Sequence, residues 1–513
     1  MARGTNLRYL VEGTVRCTTP LHVGGLGGDP DADLQLARDG RHRYYVPGTS
    51  LAGALRSWAH HRATPDVVDA LFGFQREKRD DGAASRLVIE DAPIENATPE
   101  IREGVGIDRV TGAAAEHILY DRAVLPVGTG FPLRLVFEAE RTDDPAAALL
   151  ADIIDALRGG WIALGAGVTR GYGRIRLEDL TIRRENLATR DGMIAALLGE
   201  ADEVELDDLR AGATWRPEPA PRLRFVVEMR SDGPVMVRSG TDGLAVDAMP
   251  LVTTIDGKTT LVLSGSSVKG ALRSTAERIV RTIMGSGAKA GLSTSFADQI
   301  DLPLVKNLFG APARRATGKR DEDRLGRGAL SVLDTHAKWR VDTEQWRKIE
   351  QAEDAVACRD AAVRAGLEEL HVAYHVSVDR WTGGAVAGRL FSGIEPLDTE
   401  WEPLVLELDL ARLGWPEDDD TPRRAIALLA LTLHELSCGR LPLGFAVNRG
   451  MGGVVVNRIR VEGWGLDGTP FEAFDGLVAE GGFRTIPDPI LDEVSDSWLE
   501  WCDPATRQEA AHE

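Results

Sequence analysis

A repeated stretch constrains the fold of this chain more than any other feature. Residues 21–56 contain a Gly-rich loop, an acidic segment and the helix start Pro-Gly-Thr-Ser, and residues 234–273 contain the same features in the same order. The offset between matched positions is 217 for the pairs Gly48/Gly265 and Asp39/Asp256, and 214 for Asp33/Asp247. The second copy therefore has a three-residue insertion between its two acidic positions, Asp247 and Asp256. Self-similarity of this kind predicts two copies of one structural unit.

Hydrophobic periodicity predicts the same order of elements in each copy. Residues 7–17 alternate apolar and polar side chains, as a half-buried strand does, and strands are also expected at 85–94, 124–140 and 171–184. Helices are expected from Ser50, with Thr49 or Ser50 as the cap, and over 144–160. The second copy repeats this order between residues 222 and 464. The order βαββαβ predicts an α+β fold of two tandem ferredoxin-like, RRM-like units with insertions.

Chain length and composition predict how the remaining residues are arranged. A chain of 513 residues allows two to four domains. We expect the first unit over residues 1–184, a linker with a Pro-rich exit over 185–221, and the second unit over 222–484. A charged helical insertion is predicted at about 335–370, and an acidic C-terminal tail over 485–513 with a short helix around Trp498 and Trp501.

Five motifs give the chain a specific resemblance. They are LHVGG (21–25), PGTSLAG (47–53) and LGAGVTRGYG (164–173) in the first copy, and SGSSVKG (264–270) and LGFAVNRGMG (443–452) in the second. At these residues the chain resembles the RAMP superfamily of CRISPR-associated proteins, and within it the backbone subunits of type III effector complexes. The second copy lacks the His-Val-Gly-Gly loop and has Ser264 in place of proline. The resemblance implies two RAMP backbone units fused in tandem.

The resemblance implies a catalytic role for two aspartates. It places the loop aspartate that the family requires for target-RNA cleavage at Asp33 and Asp247. RNA carries its own nucleophile, the 2′-hydroxyl, so one carboxylate per unit is chemically sufficient as a base or as a contact to Mg²⁺ or another divalent ion. The alternative is that both residues only form turns, as acids in Gly- and Pro-rich loops often do. A noncatalytic scaffold that binds guide RNA therefore stays open.

Candidate RNA contacts lie at the motifs. A helix start and a Gly-rich loop favour phosphate, because their amides are accessible and arginine adds a charge-assisted contact. Val235 matches His22 in the second copy, and a lone histidine is more often structural than functional. The candidates are His22, Gly24, Gly25, Ser50, Arg56, Arg109, Arg170, Gly171, Ser267, Lys269, Arg273, Arg380, Trp381, Arg449 and Gly450.

An Asp-Arg-x-Thr-Gly core, at residues 108–112 and 379–383, lies between short β-prone runs in each copy. This pattern predicts a hairpin with its turn at Thr-Gly. The resemblance implies that each hairpin is the thumb, which folds over guide RNA and displaces bases. The side chains predicted to contact bases are Ile107, Val110, Val378 and Trp381. A surface hairpin with a core-facing aromatic side chain is the competing interpretation.

Charge and cysteine content limit the partners. A net charge of −20 is unusual for a nucleic-acid binder, but residues 164–176 and 443–460 each hold three arginines and no acid. The opposite interpretation is a protein-interaction module that has kept the fold but no longer binds RNA. Four scattered cysteines predict neither a disulfide framework nor a zinc site. The chain shows no membrane span or signal region, so a cytoplasmic protein is expected. The expected partners are guide crRNA, complementary target RNA and other CRISPR effector subunits.

Overall fold

A computed structural model describes residues 4–25, 32–75, 81–95, 97–210, 220–240, 243–285, 299–311 and 326–504. The chain divides into two compact units. Unit 1 comprises Met1–Ile101, Arg122–Val168 and Tyr172–Ala220, and unit 2 comprises Arg102–Asp121, Thr169–Gly171 and Pro221–Glu513. Part of the first Gly-rich loop (26–31), the Pro-rich exit of the predicted linker (211–219) and the end of the tail (505–513) lie outside the described residues.

Unit 1 is built on one antiparallel sheet. Its strands, in spatial order, are Asp202–Glu203, Ile175–Asn186, Leu7–Cys17, Gly130–Ala139 and Leu87–Ile89. The helices Gly48–His60 and Pro145–Arg158 join the same hydrophobic core as these strands. Numbered by their order in the chain, the four main strands lie side by side in the order fourth, first, third, second. The two helices follow the first and third strands in the chain. This is the predicted ferredoxin-like arrangement.

Unit 2 repeats that arrangement. Its main sheet runs Leu330–Val332, Leu404–Asp409, Arg222–Ser231, Val454–Trp464 and Val478–Glu480, again antiparallel. The helices Gly265–Ile283 and Asp420–Ser437 follow its first and third strands in the chain. The α+β class and the tandem ferredoxin-like units predicted from periodicity are confirmed. The alternation of apolar and polar residues predicted the strands correctly, because one face of each sheet is buried.

Shorter elements complete each unit. Unit 1 adds the strand pairs Tyr45–Val46 with Ala92–Pro93 and Phe74–Gln75 with Gly82–Ala83, and the helices Pro65–Phe72, Arg190–Leu197 and Leu206–Arg210. Unit 2 adds the strands Val252–Ile255, Lys258–Leu263, Thr335–His336 and Val341–Asp342, the helices Val305–Phe309, Thr343–Glu350, Ala355–Arg364 and Asp488–Cys502, and the 3₁₀ turns Ala411–Leu413, Val447–Arg449 and Glu472–Phe474. None of the helices within the described ranges is both long and apolar enough to span a membrane.

Two hairpins, each a separate two-stranded sheet, form at the predicted Asp-Arg-x-Thr-Gly cores. The first hairpin pairs Glu100–Ile107 with Ala114–Val124, and the second pairs Leu370–Val378 with Ala385–Pro396. In each, one aspartate builds the turn: Asp108 Oδ1 accepts from the amides of Val110 and Thr111, and Asp379 Oδ1 does the same for Trp381 and Thr382. The predicted hairpins are therefore present, and the repeated aspartate is an Asx turn former.

Segments predicted as linker, insertion and tail are packed rather than free. Residues 202–203 pair with the unit 1 sheet, and Leu209 is fully buried. The insertion buries Trp346, Ile349 and Cys358 in the unit 2 core. The helix Asp488–Cys502 lies along Asp420–Ser437, where Arg423 Nε donates to Glu493 Oε1 at 2.7 Å. A few apolar side chains suffice to dock each of these charged segments.

Candidate functional site

The two Gly-rich loops have the same backbone hydrogen bonds. The Ala166 amide donates to the His22 carbonyl at 2.9 Å, and the Phe445 amide donates to the Met236 carbonyl at 2.7 Å. Gly165 and Gly444 have φ of 79° and 88°, and a Cβ atom there would lie 2.1 and 2.2 Å from these same carbonyl oxygens. Only glycine fits such a close approach. The hydrogen bonds also match His22 with Met236, one residue beyond the Val235 expected from the sequence.

The two aspartate loops are likewise equivalent. The Leu34 carbonyl accepts from the Ala123 amide at 3.0 Å, and the Ala248 carbonyl accepts from the Ile394 amide at 3.0 Å. Asp33 and Asp247 each precede the accepting residue, and both are exposed. The backbone thus supports the offset of 214 that the sequence predicted for these two positions.

Asp247 is held by the base of the second hairpin. Its Oδ2 atom accepts from the Ser392 amide at 2.8 Å and from the Ser392 hydroxyl at 3.2 Å, while its own amide donates to the Ser392 carbonyl at 3.0 Å. In the part of the chain that the structure describes, its Oδ1 atom accepts no hydrogen bond. The carboxylate is therefore fixed through one oxygen and has a second available to a ligand.

A cavity of about 290 Å³ surrounds this carboxylate in unit 2. Three arginines line it, Arg238, Arg389 and Arg449, together with the pair formed by His375 and Glu395. The Arg238 guanidinium donates to the Asp247 carbonyl at 3.0 Å. The arginines and carboxylates of the lining sum to one positive charge, although the whole chain carries −20. This cavity suits an anion of phosphate chemistry, because arginine presents several donors in a fixed fork.

Each Gly-rich loop places its arginine beside an aromatic side chain of a hairpin. Arg170 Nη1 donates to the Tyr120 hydroxyl at 3.0 Å, and the Arg449 guanidinium lies 4.6 Å from the Phe391 ring centroid. Tyr120 and Phe391 are matched by the same offset of 271 that relates the two hairpin turns. The hydrogen bond and the cation–π contact each restrict a guanidinium, so less rotamer freedom is lost when it meets a ligand.

Comparison with protein families agrees with this repeated geometry. A family model described as the RAMP superfamily matches residues 14–176 and again residues 233–455, about three quarters of the chain. The chain belongs to the RAMP superfamily. Members of this superfamily are generally CRISPR-associated RNA-binding proteins, and some of them cleave RNA. No curated protein matches the sequence. The two matched regions are the two RAMP copies described above, and each contains one of the paired aspartates.

The sequence-predicted RNA contacts of the RAMP copies fall into three groups by exposure. Exposed positions are Gly24, Gly25, Arg380, Trp381, Arg449 and Gly450. Half-buried positions are Ser50, Arg56, Arg109, Arg170, Ser267 and Arg273. Buried positions are His22, Gly171 and Lys269. The cavity brings only Arg449 of this set together with Asp247, while the exposed Ile107, Val110, Val378 and Trp381 lie on the hairpins.

The helix starts of both copies are occupied by carboxylates rather than free for phosphate. The Gly48 amide donates to Asp91 Oδ1 at 2.7 Å, and the Gly265 amide donates to Asp334 Oδ1 at 2.8 Å. The first helix begins at Gly48 after Pro47, so neither Thr49 nor Ser50 is its cap, whereas Ser264 caps the second helix. An aspartate in these positions satisfies the dipole and an orphan amide that we had expected a phosphate to satisfy.

Two predicted contacts point into the protein. Lys269 Nζ donates to the Leu330 carbonyl at 2.7 Å, and burial, with the nearby guanidiniums of Arg170, Arg273 and Arg327, lowers its pKa well below the ordinary value. His22 Nδ1 lies 2.7 Å from the Ala123 carbonyl; burial lowers the pKa of His22, the carbonyl opposes this, and Arg122 adds to it. His22 is therefore neutral near pH 7 and has a structural role. Lys269 is buried and also has a structural role.

Arg109 differs from its match Arg380. Within unit 2 the Arg109 Nε donates to Glu277 Oε2 at 2.6 Å, and Glu277 also accepts from Arg273 at 2.7 Å. The Arg109 amide and the Asp108 carboxylate bind the Gln299 side chain. Hydrogen bonding, first from Gln299 and then from the turn amides, lowers the pKa of Asp108 to about 2. Arg109 thus has an internal partner, whereas Arg380 is exposed.

Sequence reasoning missed several site residues. Asp91 and Asp334 each follow the second strand of their copy, which is a detectable signal, but their role depends on a contact 43 or 69 residues away. Ser392, Arg238, Arg389 and His375 carry no motif, and only the fold brings them to Asp247. The offset of 271 between the hairpin turns would have matched Tyr120 with Phe391.

Proposed function

We propose that this protein is a tandem backbone subunit of a type III CRISPR effector, which binds guide RNA and cleaves complementary target RNA at two sites. Membership in the RAMP superfamily supports RNA binding. The observation that carries the catalytic part is Asp247, a carboxylate fixed by Ser392 at the edge of an arginine-lined cavity. Asp33, at the equivalent backbone position of the first copy, is the proposed second catalytic residue.

The proposed reaction uses the RNA as its own nucleophile. A 2′-hydroxyl attacks the adjacent phosphorus, the bond to the 5′-oxygen breaks, and the products end in a 2′,3′-cyclic phosphate and a 5′-hydroxyl. The Asp247 carboxylate accepts the 2′-hydroxyl proton, and general-base help of this kind contributes ~10²–10⁴ fold. The guanidiniums of Arg238, Arg389 and Arg449 stabilise the negative charge that develops on the phosphate oxygens.

A divalent ion fits this site only when bound RNA supplies some of its ligands. Among the described residues there is no group of three or more histidine, cysteine, aspartate or glutamate side chains that could hold a metal. Asp247, and Asp33 in the first copy, would each offer one carboxylate. Mg²⁺ commonly takes one or two carboxylates, substrate phosphates and water, so this donor set suits it when RNA is bound. The ion would supply charge neutralisation at the scissile phosphate.

The alternative is a noncatalytic scaffold that binds guide RNA in the same kind of complex. Arginines and an exposed hairpin aromatic are sufficient for sequence-independent RNA binding.

One experiment separates the two functions. RNA that copurifies with the protein is extracted and sequenced, and labelled complementary RNA is then added to the protein with Mg²⁺ or with chelator. We expect cleavage that chelator abolishes, and loss of one product in Asp247→Ala. Asp467→Ala changes an exposed acid in a turn that does not line the cavity, and it serves as the control that keeps both products. Binding of target without any cleavage by the unmodified protein would support the scaffold instead.

A further inference from the structure

A histidine–glutamate pair lines the same cavity as Asp247. His375 lies on the strand Leu370–Val378, and its Nε2 atom is 2.6 Å from Glu395 Oε1. Its ring stacks on Phe391 with the centroids 5.3 Å apart. Glu395 and Phe391 hold the imidazole by two different kinds of contact, so its orientation is restricted. Within the described residues Nδ1 makes no hydrogen bond and is the nitrogen open to a ligand.

The charged groups that line the cavity with His375 place it between a base and a phosphate site. Asp247 is the carboxylate that would accept the 2′-hydroxyl proton, and the three arginines Arg238, Arg389 and Arg449 would hold the scissile phosphate. Glu395 is the remaining charged group of the lining and contacts Nε2 of His375. His375 Nδ1 is therefore the proton donor available on the same cavity for the leaving oxygen.

The first copy has no counterpart of this residue. The offset of 271 that relates the hairpin turns matches His375 with Gly104, just as it matches Phe391 with Tyr120. The Tyr120 ring occupies the space beside Gly104, where a Cβ atom would lie 2.4 Å from it. The two copies therefore differ at the position where a general acid could lie.

We propose that His375 is the general acid of the cut governed by Asp247, and that the cut governed by Asp33 has no general acid at the matched position, Gly104. This proposal rests on the proposed function. As the 2′-oxygen bonds to phosphorus, Asp247 takes the 2′-hydroxyl proton and the phosphorus–5′-oxygen bond breaks. The His375 imidazolium gives its Nδ1 proton to the departing 5′-oxygen, so no alkoxide is released. Pairing a base and an acid at one phosphate is the usual requirement for fast RNA transesterification without a strongly activated leaving group.

The test compares the rates of the two cuts on one target RNA in the same reaction. His375→Gln in the full-length protein should slow the Asp247-dependent cut about 100-fold, and should leave the Asp33-dependent cut unchanged. The target is then made with sulfur replacing the 5′-bridging oxygen at the second scissile bond. A thiolate leaves without protonation, so His375→Gln should cut this substrate at the rate of the unmodified protein.

Three results would overturn the proposal. Equal loss on the oxygen and sulfur substrates would show that His375 only maintains the cavity. An unchanged rate at the second cut would show that His375 has no role while the proposed function stands. Absence of both cuts in the unmodified protein would remove the proposed function itself. Glu395→Gln is the second variant: it removes the carboxylate that holds Nε2 of His375, so it should slow the second cut on the oxygen substrate but not on the sulfur substrate, and equal slowing on both substrates contradicts the role assigned to the pair.

Discussion

At the scale of single residues, the guanidiniums of the two Gly-rich loops are the clearest candidates for phosphate contacts. Arg449 lines the cavity of Asp247 and is exposed, and Arg170 occupies the matched position. Arg449 contacts the ring of Phe391, and Arg170 donates a hydrogen bond to the hydroxyl of Tyr120. Lys269, by contrast, donates inward to a carbonyl, although the sequence presents it at an equally basic helix start. Exposure rather than charge separates the two kinds of residue.

Replacing Arg449 by alanine should weaken guide binding to the same extent for every guide sequence, because phosphate contacts carry no base information. The slope of log affinity against log salt should fall by about one for each arginine removed. Arg170→Ala should behave in the same way. Filter binding with three unrelated guides, over a series of salt concentrations, measures both quantities.

Arg458→Ala supplies the control for these variants, because that guanidinium pairs with Glu480 on the surface of the sheet. It should change neither the affinity nor the salt slope. A loss of affinity confined to one guide in Arg449→Ala would indicate a base contact and would contradict the phosphate assignment.

At the scale of elements, the two hairpin turns share a sequence but differ in surroundings. The turn 108–112 belongs to unit 2, where Arg109 and Asp108 bind Glu277 and Gln299. The turn 379–383 presents Arg380 and a Trp381 side chain that is 96% exposed. The structure therefore predicts that only the second turn can be replaced without loss of stability.

Replacing residues 379–383 by a short Gly/Ser turn should leave the free energy of unfolding within about 0.5 kcal/mol and impair guided cleavage. The same replacement at 108–112 should lower the free energy of unfolding by about 1–3 kcal/mol, because it removes a buried ion pair and leaves the Glu277 carboxylate with one partner fewer. Denaturant unfolding followed by circular dichroism measures both.

The single variants Arg109→Ala and Arg380→Ala form a matched pair for this prediction, with loss of stability expected only in the first. Acid titration adds a second readout. The pKa of Asp108 is lowered on folding, so its contribution is present above pH ~4 and is lost as the pH falls toward 2. Equal stability of the two turn replacements would contradict the assignment of the first turn to the core of unit 2.

The elements themselves were largely predictable, and the site was not. Alternation in residues 7–17 and the apolar helix 145–158 report burial directly, so sheets and helices followed from periodicity. The repeat supplied the pairing of Asp33 with Asp247. The hydrogen bonds of Asp247 with Ser392, 145 residues away, and the inward orientation of Lys269 depend on tertiary packing, which local patterns do not encode.

At the scale of the whole molecule, one chain carries two versions of the same unit, and the versions have diverged. The second has the helical insertion, three more residues between Asp247 and Asp256 than the first has between Asp33 and Asp39, and His375 where the first has Gly104. Both keep one aspartate beside the strand that leads out of the hairpin. The net charge of −20 coexists with an arginine-lined cavity, so a global charge balance is a poor guide to local chemistry.

A map of cleavage positions on one guide-paired target shows whether each copy cuts RNA with its own aspartate. The unmodified protein should produce two cuts. Asp33→Ala should remove one of them, Asp247→Ala should remove the other, and the double variant should bind target without cutting it. Cleavage of both positions by the double variant at the unmodified rate would contradict a catalytic role for these aspartates.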